Sequence, residues 1–140
     1  MDIENIPFGV TEWDNVEATE HLGETGVAYW RTKHFGQLRV RMVDYSKNYL
    51  ADHWCSKGHI LLCLSGELTT ELEDGRVFVL KPGMSYQVAD KAEAHRSSTK
   101  SGARLFVVDL DYAHNKRLKR DCQRAVFPVP LSCGGYGCSV

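Results

Sequence analysis

Three side chains that bind metal ions well fall within one short stretch, Asp52-His53-Trp54-Cys55-Ser56-Lys57-Gly58-His59. They are His53, Cys55 and His59, two imidazoles and a thiol that binds as its thiolate. On an extended strand His53 and Cys55 point to one face and Trp54 to the other. His59 follows the Ser56-Lys57-Gly58 break, where the apolar run Ile60-Leu61-Leu62-Cys63-Leu64 begins. A fourth candidate, His95, lies beyond a second Gly-containing turn, Lys81-Pro82-Gly83. The expectation is that a β scaffold gathers His53, Cys55, His59 and His95 around one metal ion, with Cys55 as a buried or redox-sensitive thiol the alternative that stays open. A donor set of imidazole and thiolate without carboxylate suits a transition metal better than magnesium or calcium. Zinc or iron heads that choice, with nickel or copper open. No catalytic acid, base or nucleophile is named by the sequence.

Four further residues are candidates for holding a substrate. Arg39 and Arg41 share a strand face with Val43 and Tyr45 and could meet an anionic substrate bidentately. The competing reading, that this face is outside and both arginines are solvated, stays open beside it. Ser97 shares the face of His95, and Tyr86 could line the mouth of a barrel. Other features read as structural. Trp54 reads as packing and Cys63 as a small core residue on the face of His59. Asp52 could orient a ligand or cap a turn. His21, His34 and His114 read as surface residues, and the Cys133 and Cys138 spacing fits no common zinc pairing.

The elements that must position these residues are short strands. Val27–Thr32, Leu38–Tyr45, His59–Leu64, Glu67–Leu72, Arg76–Leu80, Met84–Val88, a run at His95 and Ala103–Leu110 all read as β. His59–Leu64, nearly all apolar, reads as a strand buried on both faces. Asp74-Gly75 reads as a type I′ hairpin turn. About eight strands at this spacing imply an all-β sandwich or barrel. Residues 1–26 read as an irregular arm, with Phe8, Val10 and Trp13 tucked against the domain. Residues 27–110 form the barrel. Residues 111–140 form an appendage, a short basic helix followed by a flexible Gly-rich tail that Phe127-Pro128-Val129-Pro130 separates.

The chain has 140 residues, 43% hydrophobic and 25% charged, which fits one globular domain. A net charge of −1 gives no general attraction to nucleic acid or anionic lipid, and no apolar run reaches a membrane span. Met1-Asp2-Ile3-Glu4-Asn5 is acidic and lacks a secretory signal's apolar core, so a cytoplasmic setting is expected. There the five cysteines would be reduced rather than paired.

The pattern resembles the cupins, small β-barrels with a motif of His-x-His, three or four residues, Glu, six residues and Gly. His53 matches the first ligand, Cys55 stands at the second His, His59 at the Glu, and Gly66 closes the motif. In the second motif Gly83 matches the start and His95 the ligand, while Ala89 replaces the usual Pro. Asp52-His53-Trp54-Cys55 further resembles a group of short cupin fold proteins marked by a DHCW motif. The resemblance implies a single-domain jelly-roll β-barrel, a small-molecule ligand and, by analogy, a homodimer. It implies a metal-dependent enzyme of dioxygenase, isomerase or lyase type. The alternative is a non-catalytic protein that senses a metal or small molecule. Fold analogy alone does not fix a reaction.

Overall fold

The computed structural model describes residues 4–111. The expected basic helix and Gly-rich tail, with His114, Cys122, Cys133 and Cys138, fall outside the described residues. Among the described residues ten strands form two antiparallel sheets. In chain order they are β1 Ala18–Leu22, β2 Val27–Phe35, β3 Leu38–Tyr45, β4 Tyr49–Leu50, β5 His59–Gly66, β6 Leu68–Leu72, β7 Val77–Leu80, β8 Ser85–Val88, β9 His95–Thr99 and β10 Ala103–Leu110. One sheet has the order β1-β2-β3-β10-β5-β8, the other β4-β9-β6-β7. Most neighbours are distant in sequence: β10 lies between β3 and β5, and β9 lies between β4 and β6. This alternation of sheets is a jelly roll, which buries one face of each sheet against the other.

Strict alternation selects the buried face. In β3 the buried residues are Arg39, Arg41, Val43 and Tyr45, and in β10 they are Ala103, Leu105, Val107 and Asp109. Leu61, Cys63, Leu68 and Leu80 complete the apolar interior with Trp30 and Ala28. Leu61, Cys63, Leu105 and Val107 are each 0% exposed, so each contributes about 1–3 kcal/mol of burial. β5 departs from the double burial expected of it. His59, Leu61 and Cys63 point inward, while Ile60 is 55% exposed. An antiparallel sheet with one wet face tolerates apolar residues there, so composition misled where alternation was present.

Three local expectations are also corrected. The Asp74-Gly75 turn is not type I′, because Asp74 does not take positive φ, whereas Gly75 does at +101°. Gly75 N donates to Leu72 O, and Leu72 N donates to Arg76 O, the pattern of a three-residue hairpin with a left-handed glycine. The N-terminal arm is irregular up to a single 3-10 turn at Trp13–Asn15, then supplies β1, paired with β2 from Ala18↔Arg31 to Leu22↔Val27. Trp13 packs edge-on against Phe106, but Phe8 and Val10 are exposed, since no strand pairing holds that segment to the barrel. His21 therefore sits on a strand, stacked on Trp30 at 3.8 Å between ring centroids. His34 is exposed, as expected, and meets Asp111 at 3.1 Å.

Candidate metal centre

Cys55, His59 and His95 come together inside the barrel. Their donor atoms all lie within 4.8 Å of one another, and all three residues are buried. Backbone pairing explains the meeting. Cys55 forms an isolated bridge with His95, Cys55 N donating to His95 O at 2.7 Å and His95 N to Cys55 O at 2.9 Å. His59 opens β5, whose ladder with β8 starts at His59↔Val88. The imidazoles of His59 and His95 meet edge to face, 4.9 Å between centroids. Gly58 lets the chain pass close enough: a Cβ there would stand 2.5 Å from Asp90 N, and Gly58 N donates to Asp90 Oδ1 at 2.6 Å.

Each donor is held by a second contact. His95 Nδ1 lies 2.9 Å from the Glu93 carbonyl, which can only accept, so Nδ1 carries the proton. Its Nε2 is then a bare lone pair, and that atom is buried with no hydrogen-bond partner among the described residues. A ligating histidine has this arrangement, with one nitrogen fixed by a carbonyl and the other left for the ion. His59 Nε2 lies 3.0 Å from the Tyr86 hydroxyl. Lys57 N donates to Cys55 Sγ at 3.4 Å. Burial, reinforced by the charges of His95 and Arg41, pushes His59 down to about 2, and burial lowers His95 as well. Both imidazoles are neutral near pH 7, the form in which they bind metals.

His53 does not join this group. The chain bends at Asp52–His53 instead of running as a strand, so the expected alternation with Cys55 is absent. The His53 side chain is 39% exposed and its Nδ1 lies 2.6 Å from Asp52 Oδ1. Trp54 is exposed and lies under Arg96, 6.0 Å from guanidinium carbon to ring centroid. Cys55 is disulfide-bonded in this structure, which corrects the expectation of reduced thiols throughout. A thiolate and a disulfide are two redox states of one sulfur, and the surrounding potential decides between them. Cys63 is a buried free thiol.

The four substrate candidates all face inward or border the site. Tyr86 touches His59, and Ser97 is buried on β9 one inward step from His95. Arg39 and Arg41 are not solvated: they are 6% and 1% exposed. Asp109 holds them, accepting from Arg39 Nε at 2.9 Å and Nη2 at 2.8 Å, and from Arg41 Nη2 at 3.2 Å. Sequence reading missed Asp109 because its partners lie about seventy positions away, at 70 and 68 residues' separation. The signal available was its place in an alternating strand, where every other inward residue of β10 is apolar. A cavity of about 320 Å³ opens beside His95, lined by Tyr86, Thr70, Gln87, Arg76 and Glu93 among others.

No family model and no curated protein matches the chain. Solved structures do. Ectoine synthase from P. lautus has a TM-score of 0.60 at 16% identity, covering 82% of this chain and 86% of that one. A sugar phosphate isomerase from a cupin superfamily, from Silicibacter pomeroyi, has a TM-score of 0.57 at 12% identity, covering 71% and 74%. An RmlC-like cupin from Shewanella frigidimarina has a TM-score of 0.55 at 20% identity, covering 75% and 88%. At such identities the likeness concerns the fold, and the fold agrees with the two sheets and the strand order described above. The chain therefore folds as a cupin-type jelly-roll barrel.

Proposed function

We propose that this chain is a metal-binding small cupin that acts as a metal-dependent enzyme on a small organic molecule. The ion is held by the thiolate of Cys55 and the imidazoles of His59 and His95. The observation that carries this reading is the buried, unpartnered Nε2 of His95 within a convergent group of soft donors. The donor atoms of one tetrahedral zinc stand about 3.6 Å apart by its bond lengths. The three donor atoms lie within 4.8 Å of one another, so a contraction of at most about 1 Å completes the set. Zinc or iron suits the donors best.

Three protein donors, rather than four, favour an enzyme. With His53 outside, even a four-coordinate ion keeps a position for water or substrate. When bound, such an ion supplies Lewis acidity and lowers the pKa of bound water. The chain's own residues do the rest. The Glu93 carbonyl fixes the tautomer of His95, Tyr86 orients His59, and the cavity lined by His95 and Tyr86 admits a small molecule. The ectoine synthase and the sugar phosphate isomerase show by name that this fold hosts enzymes, and the reaction here falls in the dioxygenase, isomerase or lyase classes. The reading suits a reducing compartment such as the cytoplasm, which keeps Cys55 as a thiol.

The test is metal analysis of the reduced full chain, followed by spectroscopy of a cobalt-substituted sample. Stoichiometric metal with a sulfur-to-cobalt charge-transfer band and an exchangeable water is expected. Metal held in a closed site with no exchangeable ligand favours a non-catalytic binding protein. No metal uptake by the reduced chain sinks the reading.

A further inference from the structure

Arg41 is a guanidinium in an unusual position. It is 1% exposed, and only its Nη2 has a hydrogen-bond partner among the described residues, Asp109 at 3.2 Å. Its Nε and Nη1 have none. Those two atoms carry three N–H groups, all donors. The ring it covers is Trp30, 4.4 Å from guanidinium carbon to centroid, and the indole Nε1 is likewise buried without a partner among the described residues. The cluster offers more donors than the Asp109 carboxylate accepts.

Its charge is unbalanced in the same direction. Two buried guanidinium groups, Arg39 and Arg41, share one buried carboxylate, Asp109, which leaves one positive charge in excess. Asp109 is already committed to Arg39 through a bidentate pair. An uncompensated buried charge and several unmade hydrogen bonds are costly, and a bound monoanion relieves both. A phosphate dianion would overshoot the single excess charge, whereas a carboxylate matches it.

The position relates this cluster to the metal group. Arg41 pairs with Val107, Val107 with Leu61, and Leu61 with Tyr86, one row across β3, β10, β5 and β8. His59 lies one inward step along β5 from Leu61. In a flat sheet, the Cα atoms of Arg41 and His59 would stand about 12 Å apart, from strand spacing and rise. Both side chains project into the same interior, near enough for the charge of Arg41 to act on His59.

We propose that Arg41, assisted by the indole N–H of Trp30, binds the carboxylate of a small organic acid inside the barrel. The substrate class of the proposed enzyme is then a short carboxylic acid whose other end reaches Cys55, His59 and His95. The second statement rests on the metal-centre reading, while the carboxylate site itself does not need the ion.

The experiment follows the indole N–H resonances of the ¹⁵N-labelled full chain during titration with sodium acetate. Sodium chloride at equal ionic strength is the control, and both chelator-treated and zinc-loaded protein are used. Saturable movement of the Trp30 resonance is expected in both, with Trp13 and Trp54 unmoved. Arg41→Met, which leaves Arg39 and Asp109 as a balanced pair, should weaken binding about tenfold or more. If Arg41→Met does not fold, Arg41→Lys decides: it keeps the charge but lacks the fork, and weaker binding is again expected. The proposal is overturned if Trp30 does not respond, if chloride acts like acetate, if phosphate binds more tightly than acetate, or if the folded variant binds unchanged. A saturable acetate response without metal uptake removes only the metal centre. Metal uptake without an acetate response removes only the carboxylate site.

Discussion

His95 donates through Nδ1 to the Glu93 carbonyl, so its buried Nε2 presents a lone pair that has no hydrogen-bond partner among the described residues. His95→Ala removes that donor and is expected to weaken zinc binding by roughly 100-fold, since about 10–16 kcal/mol of zinc affinity is shared among few ligands. Cys55→Ser should weaken it as well and abolish the sulfur-to-metal charge-transfer band. His53→Ala should leave both affinity and spectrum unchanged, because its ring pairs with Asp52 at the surface. Competition with a metallochromic chelator measures all three, and a loss in His53→Ala as large as in His95→Ala would restore His53 to the site. The residue types of the site were legible in the sequence, and so was the spacing from Cys55 to His59. The geometry at His53 was not: alternation assumes an extended strand, and the chain bends there. The arginines were ambiguous for a different reason. A face bearing Arg39, Arg41 and Tyr45 reads as polar unless the carboxylate that neutralises it is seen, and Asp109 lies on a strand far along the chain. Asp109→Ala would leave two buried guanidinium groups without a counter-ion and should cost about 3–5 kcal/mol in urea unfolding. A cost below about 1 kcal/mol would mean the pair is solvated in solution.

The strands were the most legible level. β3 and β10 begin and end where alternation begins and ends, at Leu38–Tyr45 and Ala103–Leu110. β1 and β4 were missed because β1 alternates weakly and β4 has two residues, both defined by their partners rather than by their own pattern. The connections differ in how much they constrain the barrel, and two glycines separate the cases. Gly66 has φ +76°, and a Cβ there would stand 2.0 Å from the Gly102 carbonyl oxygen, a backbone atom that cannot swing away. Gly75 has φ +101°, with nothing within 4 Å of a Cβ. Gly75→Ala therefore carries only the left-handed backbone cost, about 1–2 kcal/mol. Gly66→Ala adds a clash between the ends of β5 and β10 and should cost at least about 2 kcal/mol more. Urea midpoints compare the two, and equal losses would show that the strand ends separate freely.

For the whole molecule, the jelly roll does two kinds of work in one interior. Leu61, Leu68, Leu105 and Val107 fill part of the space between the sheets with apolar volume, and the remainder holds an ionic cluster and a group of metal donors. Such polar interiors weaken a fold unless a ligand completes them, so metal binding should couple to global stability. The coupling has a definite size. At a free zinc concentration a hundred times the dissociation constant, folding gains about 2.7 kcal/mol, a rise of roughly 8 °C in melting temperature for a chain of this length. That rise is expected for the reduced chain and should vanish on adding a chelator. It should be absent from the chain in which Cys55 is disulfide-bonded, because that sulfur offers no thiolate. Melting curves with and without reductant, each with and without zinc, give the four values. If zinc stabilises the oxidised chain as much as the reduced one, Cys55 is not a ligand and the ion rests on the histidines alone.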